Sequence, residues 1–385
     1  MTPSQDHRWM ARCLELAEQG GGFVSPNPMV GCVIVGADGT ILGKGWHRQF
    51  GGPHAEVNAV VAAQDAGHGD QLSTATLYVN LEPCSHHGKT PPCVDLVLEK
   101  KIPRVVVGML DPSPEVAGKG VAALQEAGVD VRVGLMSHES CRLNEAFIHH
   151  IATSRPLLTL KVAQSLDGAV ATATGDSQWI SGPESRHLVH RWRSVIDAIM
   201  VGSGTAHSDD PALTVRHVEG RQPWRIVLDR KGSLPADLRL FADEHTERTI
   251  SVTATGIRPP YADALEKAGG RVINVPETNR HLDLRKLLER LGAGIVDIPP
   301  IQSVMVEGGS GLATALMQAS LVDRLHLFIA PSLVGGGVPS FGDFGTSDAS
   351  AAYTFAEHHW AHVGDDMLFS GYRYSVSDLE HLTRA

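Results

Sequence analysis

The chain has 385 residues, 42% of them apolar, enough for more than one core at roughly 100–200 residues per domain. Its formal charge of −10 at pH 7 disfavours a polyanionic partner, so no nucleic acid is expected as ligand. No signal peptide and no apolar run long enough to span a membrane is visible, and the cysteines lack disulfide spacing; a reduced, cytoplasmic, membrane-free setting is expected.

Asp6 is placed to cap a helix in which Met10, Cys13, Leu14 and Ala17 recur at helical spacing, and Gly20-Gly21-Gly22 ends it. Pro26-Asn27-Pro28 is a rigid turn. Residues 30–35 read as a buried strand, Asp38-Gly39 as a hairpin turn and 41–45 as the returning strand. A helix begins at His54. Residues 76–81 form a strand ending at Glu82-Pro83-Cys84, and Cys93 opens the next helix. Strand 104–108, helix 121–127 and strand 129–133 complete an α/β domain with a mixed sheet. Residues 137–151 read as one helix leading out of it.

His54, Cys84 and Cys93 supply one imidazole and two thiols, all good zinc ligands. A structural zinc site closes with four protein ligands, whereas three leave a position for water. Glu56, two residues from His54, completes the zinc-deaminase signature, in which the glutamate moves protons and does not ligate. The competing reading is a structural zinc knot. Both halves of the set lie at helix starts, where free N–H groups favour thiolate.

The boundary falls near 150, giving domains 1–150 and 151–385. Residues 157–162 start a new β pattern and Ser165-Leu166-Asp167-Gly168 turns it. Ser181-Gly182-Pro183-Glu184 reads as a capping box for a helix running to Arg193. Strand 198–201 opens onto Gly202-Ser203-Gly204-Thr205, and Asp209-Asp210-Pro211-Ala212-Leu213 continues that loop. Strands are expected at 225–228, 249–252, 272–275, 304–306 and 325–329. After 304–306 come Glu307-Gly308-Gly309-Ser310-Gly311 and a helix over 312–317. A strand, a glycine turn and a helix start make an anion cradle. The turn is not G-x-G-x-x-G, so a Rossmann label does not apply.

His54-Ala55-Glu56 with Pro83-Cys84-Ser-His-His-Gly-Lys-Thr-Pro-Pro-Cys93 resembles the deaminase half of the bifunctional riboflavin-biosynthesis deaminase/reductases. Eight residues separate the two cysteines, where most cytidine-deaminase relatives have two. Asn27-Pro28, Gly45-Trp46-His47 and Asp111-Pro112-Ser113-Pro114 extend the match. Lys161-Val-Ala163-x-Ser165, Gln178-Trp179-Ile180, Asp209-Asp210-Pro211-x-Leu213-Thr-Val-Arg216 and Glu307-Gly-Gly resemble the reductase half. The resemblance implies a cytidine-deaminase-like α/β/α domain followed by a dihydrofolate-reductase-like α/β domain, using Zn2+ and NADPH on a phosphoribosyl-pyrimidine.

The resemblance also implies residue roles. His54, Cys84 and Cys93 would hold zinc, and Glu56 would move protons. Asn27, His47, His86 and Lys89 would face the first substrate. Ala163, Trp179, Thr205, Asp209 and the run Gly309, Ser310, Gly311, Leu312, Ala313, Thr314 and Ala315 would lie along NADPH. Ser177, Arg193, Leu213, Arg216 and Glu307 would face the second substrate, with Arg193 and Arg216 as phosphate clamps. Arg193 as an exposed helix residue and Trp179 as core are the plain alternatives. Lys161 and Glu307 both stand as candidates for ring opening and proton transfer, unranked. Arg230 either meets the 2′-phosphate of NADPH or points away. A homo-oligomer is expected. Two other functions compete: a nucleoside or tRNA deaminase joined to an unrelated reductase, and a zinc-stabilised sensor without turnover.

Overall fold

The computed structural model describes residues 3–85, 91–114 and 116–384. Contacts divide the chain at 154/155 and again at 375/376; the tail returns to the first unit, and 155–375 forms the second. The sequence reading gives everything after 150 to the second domain. The tail helix Val376–Arg384 instead packs on Ser137–Leu143 and Glu145–Thr153.

The first unit is built on one mixed sheet. Its strands lie in the order Ile41–Trp46, Gly31–Val35, Thr76–Leu81, Arg104–Met109, Asp130–Val133. The first two pairings are antiparallel and the last two parallel. Alternating side chains feed two cores. Cys32, Ile34, Leu77 and Val79 pack under helices Ala55–Asp65 and Cys93–Glu99, while Val33, Val35 and Tyr78 pack under helix Pro3–Glu18.

Two expectations change here. Asp6 does not cap the first helix but lies inside it, buried, accepting a 2.6 Å hydrogen bond from Tyr78 and a 3.2 Å one from Arg132. The helix expected over 137–151 is broken at Asn144 into Ser137–Leu143 and Glu145–Thr153. Asn144's amide bonds the backbone of Met29, 115 residues away.

The second unit carries a nine-stranded sheet. Arg271–Val275, Thr249–Ala254, Trp224–Leu228, Ala198–Gly202, Ser303–Val306, Leu157–Ser165 and Arg324–Ala330 run parallel in that order. Asp366–Tyr372 and Glu357–Val363 continue it antiparallel, a hairpin the sequence reading did not identify. Leu158, Leu160, Val304 and Val306 feed one core; Ile199, Val201 and Met305 feed the other, with Val189 of helix Pro183–Val195. Lys161 and Ala163, one residue out of step with Leu160 and Val162, take the second face. That helix starts from Gly182, not from a capping box: Asp366 accepts from Gly182 N at 2.8 Å and Ser185 Oγ at 2.6 Å. No helix among the described residues is long and apolar enough to cross a membrane.

Candidate active sites

Glycines set the position of the first site. Gly43 and Gly45 face helix Ala55–Asp65 so closely that a Cβ on Gly45 would sit 2.6 Å from Ala59 N and 2.8 Å from Ala55 O. The helix start, with His54 and Glu56, is thereby pressed onto the sheet. Cys84 follows strand Thr76–Leu81 and Cys93 opens helix Cys93–Glu99. The three predicted ligands converge: Cys84 Sγ and Cys93 Sγ lie 3.5 and 3.4 Å from His54 Nδ1. All three ligand atoms lie within 4.8 Å of one another. Tetrahedral zinc, with Zn–N about 2.0 Å and Zn–S about 2.3 Å, places such neighbours about 3.5 Å apart, so this set fits the ion. No fourth protein ligand joins among the described residues. The Cys84 thiol is pulled down to about 4, first by Cys93 as hydrogen-bond donor, then by His54.

Glu56 is 3% exposed. Burial pushes its carboxyl pKa up, and the charge of Cys84 pushes it further. His47 and Asn27, predicted to face substrate, meet each other: His47 Nε2 lies 3.1 Å from Asn27 Nδ2. His47 Nδ1 lies 3.0 Å from Pro53 O, which fixes the Nδ1–H tautomer and leaves Nε2 to accept. The His47 ring is 5.7 Å from that of His54. Burial lowers the His47 pKa, so the ring stays neutral. His86 and Lys89 lie outside the described residues.

In the second unit Arg193 does not point into solvent. Its Nε and Nη2 grip Glu307 Oε1 and Oε2, each at 2.7 Å, and Nη1 donates to Thr214 O at 3.1 Å. The fork expected for phosphate is therefore committed to Glu307. Burial pushes Glu307's carboxyl up, but Arg193 and then Lys161 more than offset it and keep it ionised. Burial pushes Lys161 down, more than Glu307's charge lifts it. Arg216 is exposed, and its guanidinium makes no hydrogen bond or ion pair among the described residues. Its backbone N–H donates to His190 Nδ1 at 3.2 Å. Leu213's side chain is 3% exposed and packs in the core. Ser177 is half-buried.

Thr205 and Gly309 meet, Gly309 N donating to Thr205 Oγ1 at 3.1 Å. They stand at the ends of adjacent parallel strands Ala198–Gly202 and Ser303–Val306. Residues 203–209, read as loop, form helix Ser203–Asp209, and the next helix begins at Ser310 rather than 312. Ser310, Gly311 and Leu312 thus hold first-turn N–H groups without helix partners. A Cβ at Gly204 or Gly311 would meet nothing within 4 Å, so this ledge has room for a dinucleotide's phosphates. Further along, the expected cofactor face turns inward. Ala313 is 1% exposed and its N–H bonds Gly309 O, while Thr314's hydroxyl is bonded to Ser310 O and Gly342 N. Ala315 follows, partly buried, and Asp209 is exposed, bonded to Ser208 Oγ. Trp179 is not core: it is 68% exposed, with Arg186 4.7 Å over its ring. Arg230 pairs with Glu277 at 2.6 Å.

Residues 3–109 match the cytidine and deoxycytidylate deaminase zinc-binding region, and 156–369 the RibD C-terminal domain. The riboflavin biosynthesis protein RibD of Escherichia coli K12 is 41% identical over 94% of this chain and 98% of its own. The chain belongs to the RibD family. RibD of Aquifex aeolicus is 39% identical over 96% of this chain and 99% of its own. A Thermotoga maritima structure titled as a diaminohydroxyphosphoribosylaminopyrimidine deaminase/5-amino-6-(5-phosphoribosylamino)uracil reductase superposes with TM-score 0.84 at 36% identity, covering 96% of this chain and 99% of that one. RibD proteins combine a zinc-dependent deaminase with an NADPH-dependent reductase, the two folds built here.

The RibD frame also brings in residues the sequence reading missed. Glu82's buried carboxylate accepts from the N–H groups of Asp111, Gly118, Gly120 and Val121, tying Asp111 and the start of helix Lys119–Glu126 to the chain two residues before Cys84. Asn80 bonds Gly31 N at 2.8 Å and Met29 O at 3.0 Å. Asp366 fixes the helix that carries Arg193. Each lies far in sequence from what it holds, so no local pattern marks it.

Proposed function

We propose the following division of labour for the riboflavin-pathway deamination and reduction. Glu56 is the proton carrier of the first unit, which hydrolyses an exocyclic amine of 2,5-diamino-6-(5-phosphoribosylamino)pyrimidin-4-one. When bound, zinc supplies the Lewis acidity that makes water a nucleophile near neutral pH. Glu56 takes the water's proton, gives it to the ring nitrogen, and delivers protons to the departing ammonia. Its burial supports this role, since a carboxyl raised toward neutrality both accepts and releases. Asn27's amide nitrogen is committed to His47, which leaves its oxygen as an acceptor for a ring N–H.

In the second unit, NADPH supplies a hydride when bound. Hydride goes to the ribosyl C1′, and a proton goes to the ring oxygen that leaves it. Lys161, lowered by burial, is the proton donor. Glu307, kept anionic by Arg193, orients the sugar hydroxyls. Arg216, not Arg193, takes the phosphate. The first-turn N–H groups of Ser310, Gly311 and Leu312 hold the dinucleotide's phosphates, with Thr205 and Trp179 beside it. A homo-oligomer in the cytoplasm is the setting we infer, testable by sedimentation.

The observation that carries the reading is Glu56, buried beside a three-ligand cluster spanning 4.8 Å. Neither a structural knot nor a sensor needs a buried proton carrier there. Ammonia release from the diaminopyrimidine, followed by NADPH oxidation, tests it; NADPH oxidation without prior ammonia release would overturn the first half.

A further inference from the structure

We propose that the last helix of the chain, Val376–Arg384, is a positioning element of the deaminase site. The inference rests on the deaminase reading of the first unit. Val376 and Leu379, 1% and 2% exposed, close a cluster with Leu81, Met109, Cys141 and Ile148, against which Val30 packs. Three of these partners lead directly to the site. Val30 is three residues past Asn27. Leu81 is three residues before Cys84. Met109's carbonyl accepts from Glu82 N at 3.0 Å, and Glu82 is two residues before Cys84.

Asn144 adds a second line of support. It lies at the junction of Ser137–Leu143 and Glu145–Thr153, the two helices on which the tail packs. From there its side chain accepts from Met29 N at 2.8 Å and donates to Met29 O at 3.0 Å, fixing the strand entry two residues beyond Asn27. The tail is itself pinned to that helix pair by Ser137 Oγ donating to Glu380 Oε1 at 2.6 Å. Nine residues that follow the whole reductase in sequence thus hold the backbone that aims a deaminase ligand and a deaminase recognition residue. A cavity under Leu379 would let Val30 and Leu81 relax into it. A shift near 1 Å at remote positions can cost about 10²-fold in rate.

The test uses the full-length enzyme carrying Leu379→Ala, Leu379→Met or Ser137→Ala. Ammonia release is measured against substrate concentration, zinc by metal analysis, and reduction by NADPH oxidation on pre-deaminated substrate. Leu379→Ala should lower deamination kcat/KM by about 10–100-fold, mainly through KM, with zinc retained and reduction nearly unchanged. Leu379→Met should restore most of the loss, since Leu–Met exchange nearly conserves volume. Ser137→Ala, which leaves no large cavity, should move deamination the same way by less, and it decides the matter alone if Leu379→Ala does not fold. Deamination at the wild-type level in Leu379→Ala and Ser137→Ala overturns the proposal, as does a parallel fall of both reactions. Wild-type ammonia release, abolished by Glu56→Gln, checks the deaminase reading separately.

Discussion

A buried carboxylate has one common fate, neutralisation, unless something uses its charge. Glu56 is buried with no cation bonded to it among the described residues, whereas Glu307 is buried in Arg193's fork. The first is therefore suited to moving protons and the second to staying charged. Glu56→Gln should keep zinc and lose about 10²–10⁴ in deamination, with reduction of pre-deaminated substrate intact; normal ammonia release would remove Glu56 from the mechanism. Arg216→Ala loses one charged hydrogen bond of about 1.5–3 kcal/mol, so reductase kcat/KM should fall roughly 10–150-fold. NADPH affinity and deamination should stay put; a collapse of NADPH binding instead would assign Arg216 to the cofactor. His190 gives a pH signature. Burial first, then Arg193, push it down to about 4, from an ordinary value near 6.5. The unfolded chain therefore binds its proton first. The stability due to neutral His190 is fully present above pH about 6.5, falls toward pH 4, and is flat below that. His190→Asn should flatten the rise of unfolding free energy between pH about 4 and 6.5 in denaturant titrations at several pH values; an unchanged slope would show that His190 does not contribute.

Among elements, helix Ala55–Asp65 matters most, because it carries the proposed ligand His54 at its start and the proposed proton carrier Glu56 in its first turn. It lies where it does because Gly43 and Gly45 present no side chain to it. A Cβ on Gly45 meets backbone atoms of that helix, which cannot yield without moving it. Gly45→Ala should therefore cost roughly 1–3 kcal/mol as overpacking and lower zinc affinity as well as rate. Calorimetry with a competitive zinc indicator would measure both; a stable variant with wild-type zinc affinity would mean that the helix is placed by other contacts. In the second unit the comparable element is helix Pro183–Val195. Asp366 stands in for the side-chain cap that its own sequence fails to provide.

The molecule as a whole consists of two compact units with separate cores and separate chemistries. Only the first has a cluster of zinc-ligand type among the described residues, and metal binding at such sites is part of the folding free energy. Chelation should lower the unfolding temperature of the first unit and abolish ammonia release, while the second unit's transition and NADPH oxidation stay in place. Differential scanning calorimetry with and without chelator distinguishes this from one transition that shifts as a whole.

The cluster of His54, Cys84 and Cys93 and the glutamate proposed as its proton carrier were visible in the sequence, because His54-Ala55-Glu56 is local and cysteines are few and chemically distinctive. The two α/β domains were legible too, since buried strands such as Val105-Val106-Val107 announce themselves by apolar runs. What the sequence could not determine depends on pairings between distant residues. Arg193 reads as a free cation until Glu307, 114 positions away, is seen in its fork. Arg230 could meet the 2′-phosphate or point away by sequence alone; only the structure shows it paired with Glu277. Trp179, for which a core position was the plain alternative, is 68% exposed, and Ala313, expected along the cofactor, is 1% exposed. The tail helix has an ordinary amphipathic pattern, and such a pattern specifies that a face is buried but not against what. Only tertiary structure brings Val376 and Leu379 back to Leu81, Met109 and Val30, because burial and charge pairing are properties of positions in space rather than of order along the chain.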